Sequence, residues 1–278
     1  MKINYLLITS FLLMSIFSFA QKVSVSKITE RRSTGKDIFD NKCEVELKVW
    51  GDDLRKYQFV KISKILKVTD DQELDLLSEE DKDYDYEKID KDAILKFETK
   101  IPARKASVLR EISGELILFN PTTANGSIIK IANYQSKTNV NLLPASSDLQ
   151  LIYLTKESME KLSAEQNAKK EEELKKLPEA TRKLAEGLIS IFDSFSFMGN
   201  SPNEISFYVS GNQTKLADLY FEDAKGKKIE RNGRSRMNNL ISYSFEEKPK
   251  PDWKLVLVVE TPKSVKKLPF KLENIDLP

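Results

Sequence analysis

Alternation with a period of two runs through this chain on both sides of one stretch that does not share it. Cys43, Val45, Leu47 and Val49 face one way while Glu44, Glu46 and Lys48 face the other, the pattern of a strand with one buried face. The same period returns at Ile205, Phe207 and Val209 and at Ile241, Tyr243 and Phe245, and the run from Trp253 to Val259 is apolar except at Lys254. Between these groups, residues 155–198 carry helical spacing instead. Glu165 and Lys169, Glu171 and Lys175, and Glu172 and Lys176 stand four apart in its first half, which predicts a solvated helix. Leu184, Leu188, Ile191, Phe192 and Phe195 share one side of its second half, an apolar stripe that must cover something. The pattern predicts a mainly β chain: two immunoglobulin-like antiparallel β-sandwich domains, 21–154 and 199–278, joined by a helical connector over 155–198. Val256 and Val258 would face away from the second sandwich core, and the connector's stripe is the nearest cover in sequence.

The first 20 residues differ from the rest. Lys2 precedes an apolar run from Tyr5 to Phe17, too short for a bilayer span, and Ser18-Phe19-Ala20 follow before Gln21. This is the layout of a signal peptide over 1–20, with the mature chain starting at Gln21. The expectation is an exported protein, periplasmic or extracellular, with no membrane insertion after cleavage. Cys43 is the single cysteine, so no intramolecular disulfide forms and no thiol is placed for lipidation at the new terminus. With no histidine to activate it, Cys43 is expected to be a small buried hydrophobe.

The same absence of histidine narrows the chemistry. It removes Ser/His/Asp and Cys/His nucleophiles and every zinc site that needs imidazole. A pair of carboxylates acting on a glycoside and a Ser/Lys dyad are what remain. With 45 basic and 43 acidic residues the net charge is only +2, no field for nucleic acid. Glycine totals 9, and no glycine-rich phosphate loop is present.

Local candidates are few. Trp50 ends the strand that begins at Cys43, either as an aromatic closing the end of a sandwich or as a stacking surface for a sugar. Residues 70–92 are strongly acidic, and Asp81, Asp83, Asp85 and Asp92 fall at positions 1, 3, 5 and 12 of a calcium-loop template. Tyr86 stands where that loop needs glycine, Lys88 stands where an apolar residue is usual, and the last ligand is Asp rather than Glu. A solvated acidic loop is the plain alternative. Lys100, Arg104, Lys105 and Arg110 form a basic patch.

The ending LPFKLENIDLP at 268–278 and the turn FEDAKGKKI at 221–229 resemble the tail of uncharacterised exported bacterial proteins built from two β-sandwich modules. That resemblance covers mainly the last 80 residues and carries no catalytic residues. The order of features around Ile62 to Tyr134 also parallels that around Leu216 to Ile275, which raises a duplication. Together these features predict a non-enzymatic binding or scaffold protein of the bacterial cell envelope. It would need no cofactor except, at most, calcium, and would recognise an envelope protein or glycan through loops or sheet edges. The alternatives are a carboxylate-dependent glycan hydrolase and a calcium-dependent adhesion module.

Overall fold

The computed structural model describes residues 22–33, 41–78, 83–144, 147–155, 157, 202–237 and 239–278. The expected leader at 1–20 lies outside the described residues, as does the expected helical connector apart from Thr155 and Glu157. The described chain is mainly β, with fourteen strands in four antiparallel sheets. It divides into two compact units, one made of 1–122 and 260–278 and the other of 123–259.

The first unit holds β1 (Lys22–Arg31), β2 (Lys42–Trp50), β3 (Phe59–Asp70), β4 (Glu87–Lys88), β5 (Ala93–Thr99) and β6 (Val108–Phe119). The second holds β7 (Ile128–Ile131), β8 (Leu149–Leu154), β9 (Glu204–Gly211), β10 (Leu216–Glu222), β11 (Gly233–Met237), β12 (Leu240–Ser244) and β13 (Lys254–Val259). The chain then returns to the first unit as β14 (Val265–Asp276).

In the first unit a three-stranded sheet, β1-β2-β5, shares a core with a four-stranded sheet, β14-β6-β3-β4. Cys43, Val45, Leu47 and Val49 of β2 are all fully buried, and Leu95 and Phe97 of β5 lie beside them. Val60, Ile62 and Val68 of β3, Ile112, Leu116 and Leu118 of β6, and Leu268 and Phe270 of β14 complete that core from the other sheet. Each such side chain contributes about 1.5–3 kcal/mol when taken out of water. Cys43 is one of these packing residues, and burial pushes its thiol pKa up.

The second unit repeats the three-plus-four count with β10-β13-β7 and β11-β12-β9-β8. Its core is aromatic. Phe221 of β10 lies 5.3 Å from Phe245, 5.7 Å from Tyr243, 5.8 Å from Tyr134 and 6.2 Å from both Phe207 and Trp253, centroid to centroid. Trp253 is therefore a core residue. Val256 and Val258 are buried along with Leu255 and Leu257, and the helical stripe expected to cover them lies outside the described residues.

The division differs from the expected domains 21–154 and 199–278. β7 pairs with β13 and β8 with β9, so residues 123–154 belong to the second unit. β14 pairs with β6 along almost its whole length, from Val265 opposite Phe119 to Asp276 opposite Val108. The second unit is thus an insert in a hairpin of the first. Both ends of the insert are tied. The Asn120 N–H donates to the Ser264 carbonyl at 2.9 Å, and the Val259 N–H donates to the Ser127 carbonyl at 2.8 Å. Ends that start together add little closure entropy, the condition under which a domain can interrupt another.

The strand pairing also bears on the suggested duplication. Leu116-Ile117-Leu118 lies in β6, flanked by β14 and β3 in a four-stranded sheet. Its counterpart, Leu255-Val256-Leu257, lies in β13 between β10 and β7 in a three-stranded one. The two modules do not match strand for strand in that alignment; what they share is alternation and turn chemistry.

Candidate functional site

Ion pairs occupy much of the outward faces of the first unit's sheets. On β1-β2-β5, Lys42 meets Glu98 at 2.7 Å, Lys96 meets Glu46 at 2.8 Å and Lys48 meets Asp92 at 2.6 Å. On the other sheet Lys67 meets Glu111 at 3.1 Å and Lys267 meets Glu115 at 3.0 Å. Such faces neutralise themselves and offer a partner little net charge.

At the end of β2 the alternation carries Trp50 to the outward side, where it is 39% exposed. Gly51 follows with φ 132°, a left-handed conformation that favours glycine, and the chain turns into a short 3-10 segment, Asp52–Lys56. Leu54 of that segment is fully buried in the first unit's core. The turn is thus anchored from below while Asp52 and Arg55 stand in solvent. Lys91 and Asp92 approach from the connection into β5, and Lys48 from β2 itself. These residues enclose a shallow hollow of about 560 Å³ around the indole.

The charges of the hollow are unevenly committed. Lys48 and Asp92 form the close pair already noted, whereas Arg55 and Asp52 stand 3.7 Å apart with side chains 80% and 97% exposed. Among the described residues Lys91 has no ion-pair partner. Asp53, one position on, is taken by Lys56, which holds its carboxyl below the usual range. A hollow with one aromatic face, two carboxylates and three cations can stack a flat or ring-shaped ligand and bind its polar groups.

A second polar cluster lies inside the first unit. Tyr86 Oη donates to Glu260 Oε2 at 2.6 Å, and Lys61 Nζ stands 2.9 Å from the same oxygen and 4.4 Å from the centroid of the Tyr86 ring. The Lys61 and Glu260 side chains are only 6% and 14% exposed. Tyr86 also packs on Phe59 and Phe119, and burial followed by the Glu260 carboxylate pushes its phenol far above the usual range. The hydroxyl therefore stays protonated as a donor. Each group is satisfied by the others, and the arrangement ties the chain returning at Glu260 to β3 and to the approach to β4.

Of the calcium-loop residues, Asp83 and Asp92 border different cavities. Asp81 lies outside the described residues, and Asp83 and Asp85 are exposed. Asp83 borders a cavity of about 340 Å³ with Lys64, Tyr84 and Glu98, while Asp92 lies in the Trp50 hollow paired to Lys48. Between them Tyr86 is buried and Glu87–Lys88 is extended as β4. Among the described residues no three acidic or cysteine side chains form a group able to hold a metal. Of the basic patch, Arg110 is paired with Glu73 at 3.0 Å, and Lys100, Arg104 and Lys105 are exposed.

Sequence reasoning reached Trp50 but not its neighbours. Arg55 carried no sequence signal, Lys91 was only part of an acidic stretch, and Asp92 stood as the last position of the calcium-loop template rather than as a neighbour of Trp50. Their meeting with Trp50 depends on the pairing of β2 with β5, in which Val49 faces Ala93. No family model, curated protein or solved structure matches the chain.

Proposed function

We propose that this chain is a non-enzymatic, exported binding or scaffold module of a bacterial cell envelope, and that it meets a glycan or protein partner at the Trp50 end of its first unit. The observation that carries this reading is the exposed indole, set beside a core-anchored turn and ringed by Lys48, Asp52, Arg55, Lys91 and Asp92. The sheet faces around it are largely self-paired, which makes the hollow a distinctive surface among the described residues of that unit. An immunoglobulin-like assignment for the first unit is part of the proposal. Its first, second and fifth strands pair as β1-β2-β5, and the third and sixth are neighbours in the facing sheet, the Greek-key order of that architecture. Export rests on the leader-like first 20 residues. The test is a pull-down from envelope extract with the full chain and with Trp50→Ala, each with and without a chelator. A partner retained by the former and lost by the latter supports the reading; identical retention overturns it. Loss on chelation alone would favour calcium-dependent adhesion.

A glycan hydrolase has one observation in its favour: Asp52 and Asp92 share the hollow with Trp50. A general acid, however, needs a desolvated carboxyl, and these side chains are 97% and 40% exposed, each beside a cation. Release of reducing ends from envelope glycan, abolished by Asp52→Asn or Asp92→Asn, would make that reading the better one.

A further inference from the structure

The charges around Trp50 narrow the ligand class, if the hollow is the binding surface just described. Lys48 and Asp92 cancel one another at 2.6 Å, and Asp52 and Arg55 do so only loosely at 3.7 Å. Lys91 is then the uncommitted charge of the rim among the described residues, and it is positive. Acidic neighbours are present too. Asp53 is held by Lys56, and Asp90 precedes Lys91 on an exposed loop. The lining balance is three cations to two carboxylates, with the looser pair open to exchange its partner.

We propose that the hollow binds an acidic saccharide, a sugar ring bearing a carboxylate. The apolar face of the ring stacks on the Trp50 indole, Lys91 and Arg55 take the carboxylate, and Asp52 accepts hydrogen bonds from ring hydroxyls. The rest of the lining favours a sugar over an acidic peptide. Beyond Trp50 and Gly51 it is wholly charged, without the dry apolar pocket in which a peptide side chain is usually anchored. A hydroxylated ring needs only one aromatic face and convergent polar groups. Arg55 is suited to the carboxylate because its planar fork can hold both oxygens, at the expense of a weak contact with Asp52.

The chain supplies its own reporter. It has 2 tryptophans, and Trp253 is buried at 2% in the second unit, so a surface ligand acts on the fluorescence of Trp50. The full chain is titrated with an oligogalacturonate, with a neutral oligogalactan of equal length and with polyglutamate. Binding of the oligogalacturonate at least tenfold tighter than either other probe is expected, weakening as salt is raised. Lys91→Gln with Arg55→Gln should bring the acidic sugar down to the neutral one, and Trp50→Ala should abolish binding of both, read by calorimetry. Equal affinity for the neutral sugar, with the double variant unchanged, would overturn the acidic-sugar inference and leave the binding reading standing. Polyglutamate binding as tightly as the sugar would replace stacking by simple charge. No binding of any probe would overturn the inference, while the pull-down still decides the broader reading independently. Circular dichroism of the variants keeps folding failure apart from loss of the site.

Discussion

Gly114, in the middle of β6, has no room for a methyl group. A Cβ there would stand 2.6 Å from the Lys64 carbonyl oxygen and 2.9 Å from the Phe270 ring. The register of β3 slips between Ile62 and Lys64 and again between Ile65 and Lys67, and Gly114 faces Ile65 between those irregularities. Bulges of this kind bring one backbone close to its neighbour, and only glycine tolerates the approach. Gly114→Ala should lower the stability of the first unit by about 1–3 kcal/mol, measured by urea unfolding. Tyr86 gives a prediction of a different kind. Its phenol pKa is raised on folding, first by burial and then by Glu260. The associated stability is whole below the unfolded value near ~10 and is lost as pH rises beyond it. Tyr86→Phe should therefore make the fall in Tm above about pH 10 shallower by this one group's share. An unchanged alkaline slope would mean that the hydroxyl is not held as described.

Among the elements, β10 carries the densest share of the second core through Phe221, which meets five other rings. Phe221→Ala should cost the second unit about 3–5 kcal/mol while the first unit's unfolding is unaffected, as two-transition calorimetry would reveal. Strands of this sort were plain in the sequence, because a half-buried strand records its environment in every second residue. β2 and β12 appear where alternation placed them. β6 was read only in part. Its core-facing positions continue back through Ile112 to Leu109, past Gly114, a residue that interrupts the apolar pattern locally. Pairing was not legible at all. Nothing in LPFKLENIDLP says that its partner is β6 rather than a strand of the unit just before it, because both are apolar and alternating. The same gap hid the Trp50 hollow. An aromatic at a strand end is visible in one dimension, but Lys91 and Asp92 become its neighbours only once β5 lies against β2.

For the molecule as a whole, the main difference from expectation is that one unit interrupts the other. The ends of the insert are held by backbone hydrogen bonds on both sides of the crossing, at Asn120 with Ser264 and at Ser127 with Val259. Replacing 123–259 by a short Gly/Ser linker while keeping Glu260 should therefore leave a first unit that folds by itself. It should unfold in one cooperative transition and retain the Tyr86 and Lys61 contacts to Glu260. A shortened chain with no cooperative transition would mean that the insert is needed for the first core. The linear order of the full chain also sets a timetable for assembly. When β6 leaves the ribosome, its β14 side is an open edge, and Lys61 still lacks the Glu260 carboxylate. Both are satisfied only after the whole insert has passed. A product cut short anywhere in between leaves that edge of β6 unpaired, so closure of the first unit reports that the second has been delivered in full.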